Sequence, residues 1–119
     1  MKNDDLKKRT RDFSLAVIRL YAELPRTTEA QVLGRQMLRS ATSVGAQYRE
    51  AQRAKSDADF INKIEGSLQE GEETLYWLEL LMGAGIVSST AISPLAAELD
   101  EIIRIFVSMV CKVKARTRK

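Results

Sequence analysis

The sequence contains no histidine. That absence removes the usual general base near neutral pH and every imidazole metal ligand. A single cysteine, Cys111, rules out an intramolecular disulfide framework and leaves the common zinc sites without ligands. Di-iron carboxylate chemistry in a helical bundle needs inward-facing Glu-x-x-His pairs, which this chain cannot supply. Only two prolines and six glycines occur in 119 residues, so long uninterrupted elements are favoured, and helices fit best. No apolar run approaches the roughly 20 residues of a membrane span. The first residues, MKNDDLKKRTRD, are charged and lack the apolar segment of a secretory signal. These absences lead us to expect one cytoplasmic domain, with no enzymatic activity, no cofactor and no metal.

What the chain does have is segregated charge. Residues 1–55 carry 12 Lys/Arg against 6 Asp/Glu, residues 56–101 one Lys against 10 acids, and residues 102–119 six bases and no acid. The blocks are net +6, −9 and +6. Such a chain pairs its own blocks, pairs with copies of itself, or offers the basic blocks to an anion.

Apolar residues recur at helical spacing in four segments. Leu6, Phe13, Val17, Leu20 and Leu24 form one stripe, stopped by Pro25. Lys7, Lys8, Arg9 and Arg11 crowd its first turns and read as a solvated face. The second segment opens at Thr27 or Thr28, with Thr28 and Gln31 in capping-box relation. Its core stripe is Leu33, Met37, Ala41, Val44, Tyr48 and Ala51. On the opposite side fall Arg35, Arg39, Thr42, Ala46, Arg49 and Arg53, within about 40° of one line at 100° per residue. Arginine makes bidentate contacts with carboxylate and phosphate, so this line is a candidate binding face.

The third segment begins after a Ser56 cap and has the core line Phe60, Ile64, Ser67/Leu68, Gly71, Leu75, Leu78 and Met82. Gly71 is expected to face the small stretch Ala41–Gly45 of the second helix. Glu65, Glu72 and Glu79 repeat at sevens on its flank, where partner-selecting charges sit in coiled coils. Trp77 and Leu81 lie off the core line and call for a further contact, from another helix or another subunit. Ser93 as N-cap and Pro94 at the first helical position open the fourth segment. Its stripe is Leu95, Leu99, Ile102, Phe106, Met109/Val110 and Val113, with Cys111 as a small core residue. Lys112, Lys114, Arg116, Arg118 and Lys119 make a basic tail over residues 112–119. The expected architecture is all-α, an antiparallel up-down four-helix bundle with helices at about 5–24, 28–53, 57–82 and 94–113.

The run Leu38-Arg39-Ser40-Ala41-Thr42-Ser43-Val44-Gly45-Ala46, then Arg49-Glu50-Ala51, Asp59-Phe60-Ile61 and Glu70 through Leu81, resembles a known family. It is the four-helix-bundle family named after intervening sequences in bacterial 23S ribosomal RNA genes. The resemblance spans Phe13 to about Lys112. It implies a ring-shaped homopentamer without catalytic residues. A related branch, the accessory variability determinant of diversity-generating retroelements, binds a reverse transcriptase and nucleic acid through a basic surface.

Two uses of the charge follow. In the first, Arg35, Arg39, Arg49, Arg53 and the tail from Lys112 to Lys119 meet the phosphates of RNA or DNA, or a reverse-transcriptase-like partner. In the second the protein is a scaffold, with Arg39 and Arg49 meeting Glu65, Glu72 and Glu79 of a neighbouring copy and Trp77 as a further residue of the interface. No serine here has a histidine to activate it, and Tyr48, Tyr76 and Cys111 form no recognisable base–nucleophile pair.

Overall fold

Four α-helices make up the computed structural model, which describes residues 3–118: α1 (Asn3–Ala22), α2 (Thr28–Gln52), α3 (Asp57–Gly83) and α4 (Ser89–Thr117). Hydroxyl caps set three of the starts. Thr27 Oγ1 accepts the Ala30 amide at 3.3 Å, Ser56 Oγ the Asp59 amide at 3.0 Å, and Ser88 Oγ the Ala91 amide at 3.3 Å. The Ser56 start is as expected. The α2 cap is Thr27 rather than Thr28, and Gln31 instead donates from Nε2 to the Pro25 carbonyl. That bond ties the α1–α2 connection to the first turn of α2.

The largest difference is at α4. It begins at Ser89, and Pro94 lies inside it. The Ser93-Pro94 pair is a good local start signal, but Ile92 is 3 % exposed, and a helix starting at Ser93 would leave it in a loop. Burial of that side chain outweighs the amide hydrogen bond lost at proline. Helix α1 ends two residues earlier than expected, and the chain then turns so that Leu24 still reaches the core.

Sequence neighbours pack against one another and α4 closes on α1. Contacts along each seam run in opposite directions: Thr10 meets Gly45 while Tyr21 meets Gly34, Val44 meets Ser67 while Ser40 meets Thr74, and Ile103 meets Gly71 while Lys114 meets Glu65. This packing is compatible with the expected up-down bundle, 53 Å long and 22 × 21 Å across. α1 and α3 are therefore diagonal and run in the same direction, as do α2 and α4. Among the described residues neither diagonal pair approaches closely along the backbone.

The core is a column of Phe13, Val17, Met37, Val44, Tyr48, Ile64, Leu78, Leu99, Ile102 and Phe106, with the Tyr48 and Phe106 rings stacked at 5.4 Å. The small residues of α2 allow close crossings. Ser67 Oγ donates to the Val44 carbonyl at 2.7 Å, and Thr74 Oγ1 lies 2.8 Å from Ser40 Oγ. Gly45, however, serves α1: a Cβ there would lie 3.2 Å from Thr10. Gly71 faces Ile103 of α4 and not the Ala41–Gly45 stretch. The buried line of α3 runs through Thr74 and Leu81, while Met82, expected in the core, is 39 % exposed. Cys111 is also exposed, not in the core.

Candidate anion-binding face

At 100° per residue, ten residues turn a helix by about 80° net of whole turns. Arg39 and Arg49 therefore lean to opposite sides of the α2 outer line. The structure follows this. Arg39 shares an indentation between α2 and α3 with Gln36, Ser40, Glu70 and Glu73. Arg49 and Arg53 border Lys7 of α1. Arg49 also flanks, with Arg11, a shallow α1–α2 groove whose floor includes Leu15, Thr42, Gly45 and Ala46. Arg35 is exposed on the outer line between these two leanings. Among the described residues, none of the four arginines is within ion-pairing distance of a carboxylate.

The groove exists because Thr10 and Gly45 let α1 and α2 approach. Thr10 is 1 % exposed, and its Oγ1 donates back to the Leu6 carbonyl at 2.8 Å, so it needs no partner on α2. The result is a basic edge, Lys7, Arg11, Arg49 and Arg53, drawn from two helices. Lys7 and Arg11 were not singled out from the sequence as members of a site. Their signal was the four-residue spacing that places them on one side of α1.

Arg9, by contrast, is not part of a solvated face. It turns to α4, where Nε donates to Glu98 Oε2 at 2.9 Å and Nη2 lies 3.0 Å from Glu101 Oε1. Hydrogen bonding to Glu98 raises its pKa above the ordinary guanidinium value against the opposing effect of burial. This cluster clasps α1 to α4.

The basic tail is also spoken for in part. Residues 112–117 continue α4, and Lys114 Nζ lies 3.1 Å from Glu65 while Arg116 Nη2 lies 2.9 Å from Asp57. The acidic flank of α3 runs alongside and neutralises them. Lys112 and Arg118 are exposed, and Lys119 lies outside the described residues. Glu65 is thus engaged within the chain, whereas Glu72 and Glu79 are exposed and make no ion pair among the described residues. Trp77 is partly buried beside Tyr76, ring centroids 5.3 Å apart, and its indole N–H is buried without an acceptor among the described residues.

Burial raises the pKa of the Glu70 carboxyl, Glu73 adds to the effect, and Arg39 opposes it. A carboxyl with a raised folded-state pKa binds its proton more tightly in the fold than in the unfolded chain. Its contribution to stability is therefore present at acid pH and lost as pH rises through the folded value. Glu70→Gln is expected to raise the melting temperature at neutral pH. The gain should shrink toward zero near pH ~4, where the wild-type carboxyl is itself protonated. Melting curves of both proteins across that range check it; a gain independent of pH would assign the effect to shape rather than charge.

Among the described residues no three of His, Cys, Asp or Glu converge as a metal site, and no helix is long and apolar enough to cross a membrane. The basic edge can hold anions by charge and bidentate hydrogen bonds; nothing in it supplies a nucleophile with a base.

Residues 2–108 match the family described as 23S rRNA-intervening sequence protein. Among solved structures, the chain resembles a crystal structure from Bacteroides thetaiotaomicron VPI-5482, described as a protein of unknown function from the S23 ribosomal protein family. The two are 36 % identical with a TM-score of 0.86, over 92 % of this chain and 98 % of that one. No functionally curated protein matches.

Proposed function

The chain belongs to the 23S rRNA-intervening sequence protein family, and from that premise we propose a non-catalytic, self-associating helical module whose basic edge engages the phosphates of RNA or DNA. The observation that carries this is the division among its cations. Arg9, Lys114 and Arg116 are neutralised by the chain's own acids, while Arg35, Arg49, Arg53 and Lys7 stand exposed with no carboxylate paired to them among the described residues. The four are spread along one side of the molecule and suit successive backbone phosphates better than a single compact anion.

Contacts of this kind are independent of sequence and release counterions. Each phosphate neutralised on a duplex contributes about −0.9 to the slope of log K against log salt. Filter binding is expected to show retention of RNA or duplex DNA at about 50 mM salt and a steep loss by about 200 mM. Arg49→Glu/Arg53→Glu should weaken retention by roughly tenfold or more and flatten the slope by about 2 units. No retention of any nucleic acid at the lower salt would remove the proposal.

A second reading, a pure scaffold, draws on the acids of α3. Glu72, Glu73 and Glu79 are exposed and make no ion pair among the described residues, so a basic surface of another copy could meet them. Self-association belongs to both readings, in the ring that the family resemblance implies. Native mass spectrometry reads it directly as a multiple of 13.4 kDa.

A further inference from the structure

We infer that the end of the bundle where α2 gives way to α3 is a binding site for a small carboxylic acid with an apolar body. The inference depends neither on the nucleic-acid edge nor on self-association. A cleft of about 490 Å³ opens there, bordered by the end of α2, the 53–56 connection, the start of α3 and the end of α4. That volume lies within the roughly 300–1,000 Å³ of ordinary ligand pockets.

The hollow follows from residue size. The core stripe of α2 drops from Tyr48 to Ala51, and Ala54 follows where the chain leaves the helix. Phe60 of α3 and Met109 and Val113 of α4 border the same space. Tyr48 and Ala51 are 0 % and 2 % exposed, so they close the inner end. Phe60 and Met109 stay only partly buried, although each lies on the apolar stripe of its helix. Apolar surface left open within a cleft is what a ligand's apolar body covers. A thioether also adapts its shape to whatever fills the space beside it.

The rim supplies the polar half of the recognition. Lys55 and Arg116 stand on it against the single carboxylate of Asp57. Arg116 Nη2 lies 2.9 Å from Asp57 Oδ1 with both side chains well exposed, so this pair is weak and open to exchange. Lys55 has no carboxylate within ion-pairing distance among the described residues; its backbone amide, not its ammonium, donates to Asp59 Oδ2 at 3.3 Å. An entering carboxylate takes the Arg116 fork from Asp57 and draws in Lys55. A neutral apolar molecule leaves both cations unused, and a cationic one meets two like charges. A bare inorganic anion leaves the Phe60 and Met109 walls uncovered. Charge and apolar surface together select an amphiphilic monocarboxylate.

Decanoate, decanol and decyltrimethylammonium share one chain and differ in the charge of the head, which makes them the probes. Each is titrated below its micelle concentration into protein labelled at the methionine methyl groups and followed by NMR. Met109 borders the cleft, whereas Met82 lies 22 residues beyond Phe60 on α3, about 33 Å away. Decanoate is expected to shift the Met109 methyl saturably and leave Met82 unmoved, with decanol at least tenfold weaker and the cation weaker still. Octanoate, two methylenes shorter, should bind about tenfold more weakly. Arg116→Gln and Lys55→Gln should each weaken decanoate about tenfold, and Asp57→Asn should tighten it about threefold by freeing Arg116. Ala54→Phe fills the mouth and should abolish the Met109 shift. Circular dichroism confirms that the helices are kept, and the three rim variants carry the test if Ala54→Phe does not fold. The absence of a saturable Met109 shift with decanoate would overturn the site. Equal affinity for the three head groups, or decanoate binding unmoved by both Arg116→Gln and Lys55→Gln, would overturn the selection of a carboxylate. Parallel shifts of Met82 and Met109 would mean adsorption over the whole surface and overturn the assignment to the cleft.

Discussion

Phe106→Ala is expected to remove about 3–5 kcal/mol of unfolding free energy. The side chain is 0 % exposed, and its ring stacks at 14° on Tyr48, which is equally buried. These two rings join α2 to α4 across the diagonal, where the backbones themselves stay apart. Truncation thus removes the transfer free energy of the ring, opens a cavity on the bundle axis, and loses an aromatic pair worth ~1 kcal/mol beyond its area. The helices around the cavity cannot simply collapse inward, because Ser67 and Val44 already hold α2 and α3 at hydrogen-bonding distance on one side. Against a total stability of about 5–15 kcal/mol for a domain of this kind, a loss of that size is a large fraction. The urea midpoint should fall by about 2 M with an unchanged slope. Phe106→Leu keeps most of the volume and should cost about 1.5 kcal/mol or less. A loss under ~1 kcal/mol for Phe106→Ala would mean that the diagonal is not closed by this stack.

Tyr48 and Phe106 also show why most of the bundle could be read from the sequence. Both sit on regular stripes, Val44–Tyr48–Ala51 and Ile102–Phe106–Val110, with residues of one kind at a spacing that only a helix turns to one side. The α3 stripe was harder. Its apolar residues nearly surround the helix toward the C-terminus, Leu78, Leu80, Leu81 and Met82 with only Glu79 between them, so periodicity does not choose between Leu81 and Met82. The structure chooses Leu81, which is 0 % exposed within the core cluster, and leaves Met82 at the surface. Boundaries failed where a local signal competed with burial. Ser93-Pro94 is a sound start taken alone, and Ile92 overrules it.

The candidate site was readable only one helix at a time. Arg49 and Arg53 were visible on α2, but their union with Lys7 and Arg11 depends on α1 lying against that edge through Thr10 and Gly45, a contact between residues 35 positions apart. Likewise the tail looked free because Lys114 and Arg116 are far in sequence from Glu65 and Asp57. Net charge by block gave the right sum; only the packing tells which charges cancel.

Gly71 gives the sharpest test of that packing. A Cβ there would lie 3.2 Å from both Cγ1 and Cδ1 of Ile103 and 3.6 Å from Leu99 Cδ1, so the glycine marks the close approach of α3 to α4. Gly71→Val adds a branched side chain into that contact. Replacing a mid-helix glycine gains a few tenths of a kcal/mol in helix propensity, but overpacking costs about 1–3 kcal/mol, so a net loss is expected. Ile103→Ala alone, at a site 9 % exposed, should lose about 2–4 kcal/mol through the cavity it leaves. Together the two changes exchange volume across one contact. The double variant should therefore be more stable than the sum of the single losses predicts, by about 1–2 kcal/mol. Pairing Gly71→Val with Val44→Ala instead makes room on α2, where the glycine does not point, and should give simple additivity. Urea unfolding of the five variants and the wild type settles the matter. Relief by Val44→Ala, or additivity with Ile103→Ala, would place Gly71 against α2 and undo the assignment of the α3–α4 contact.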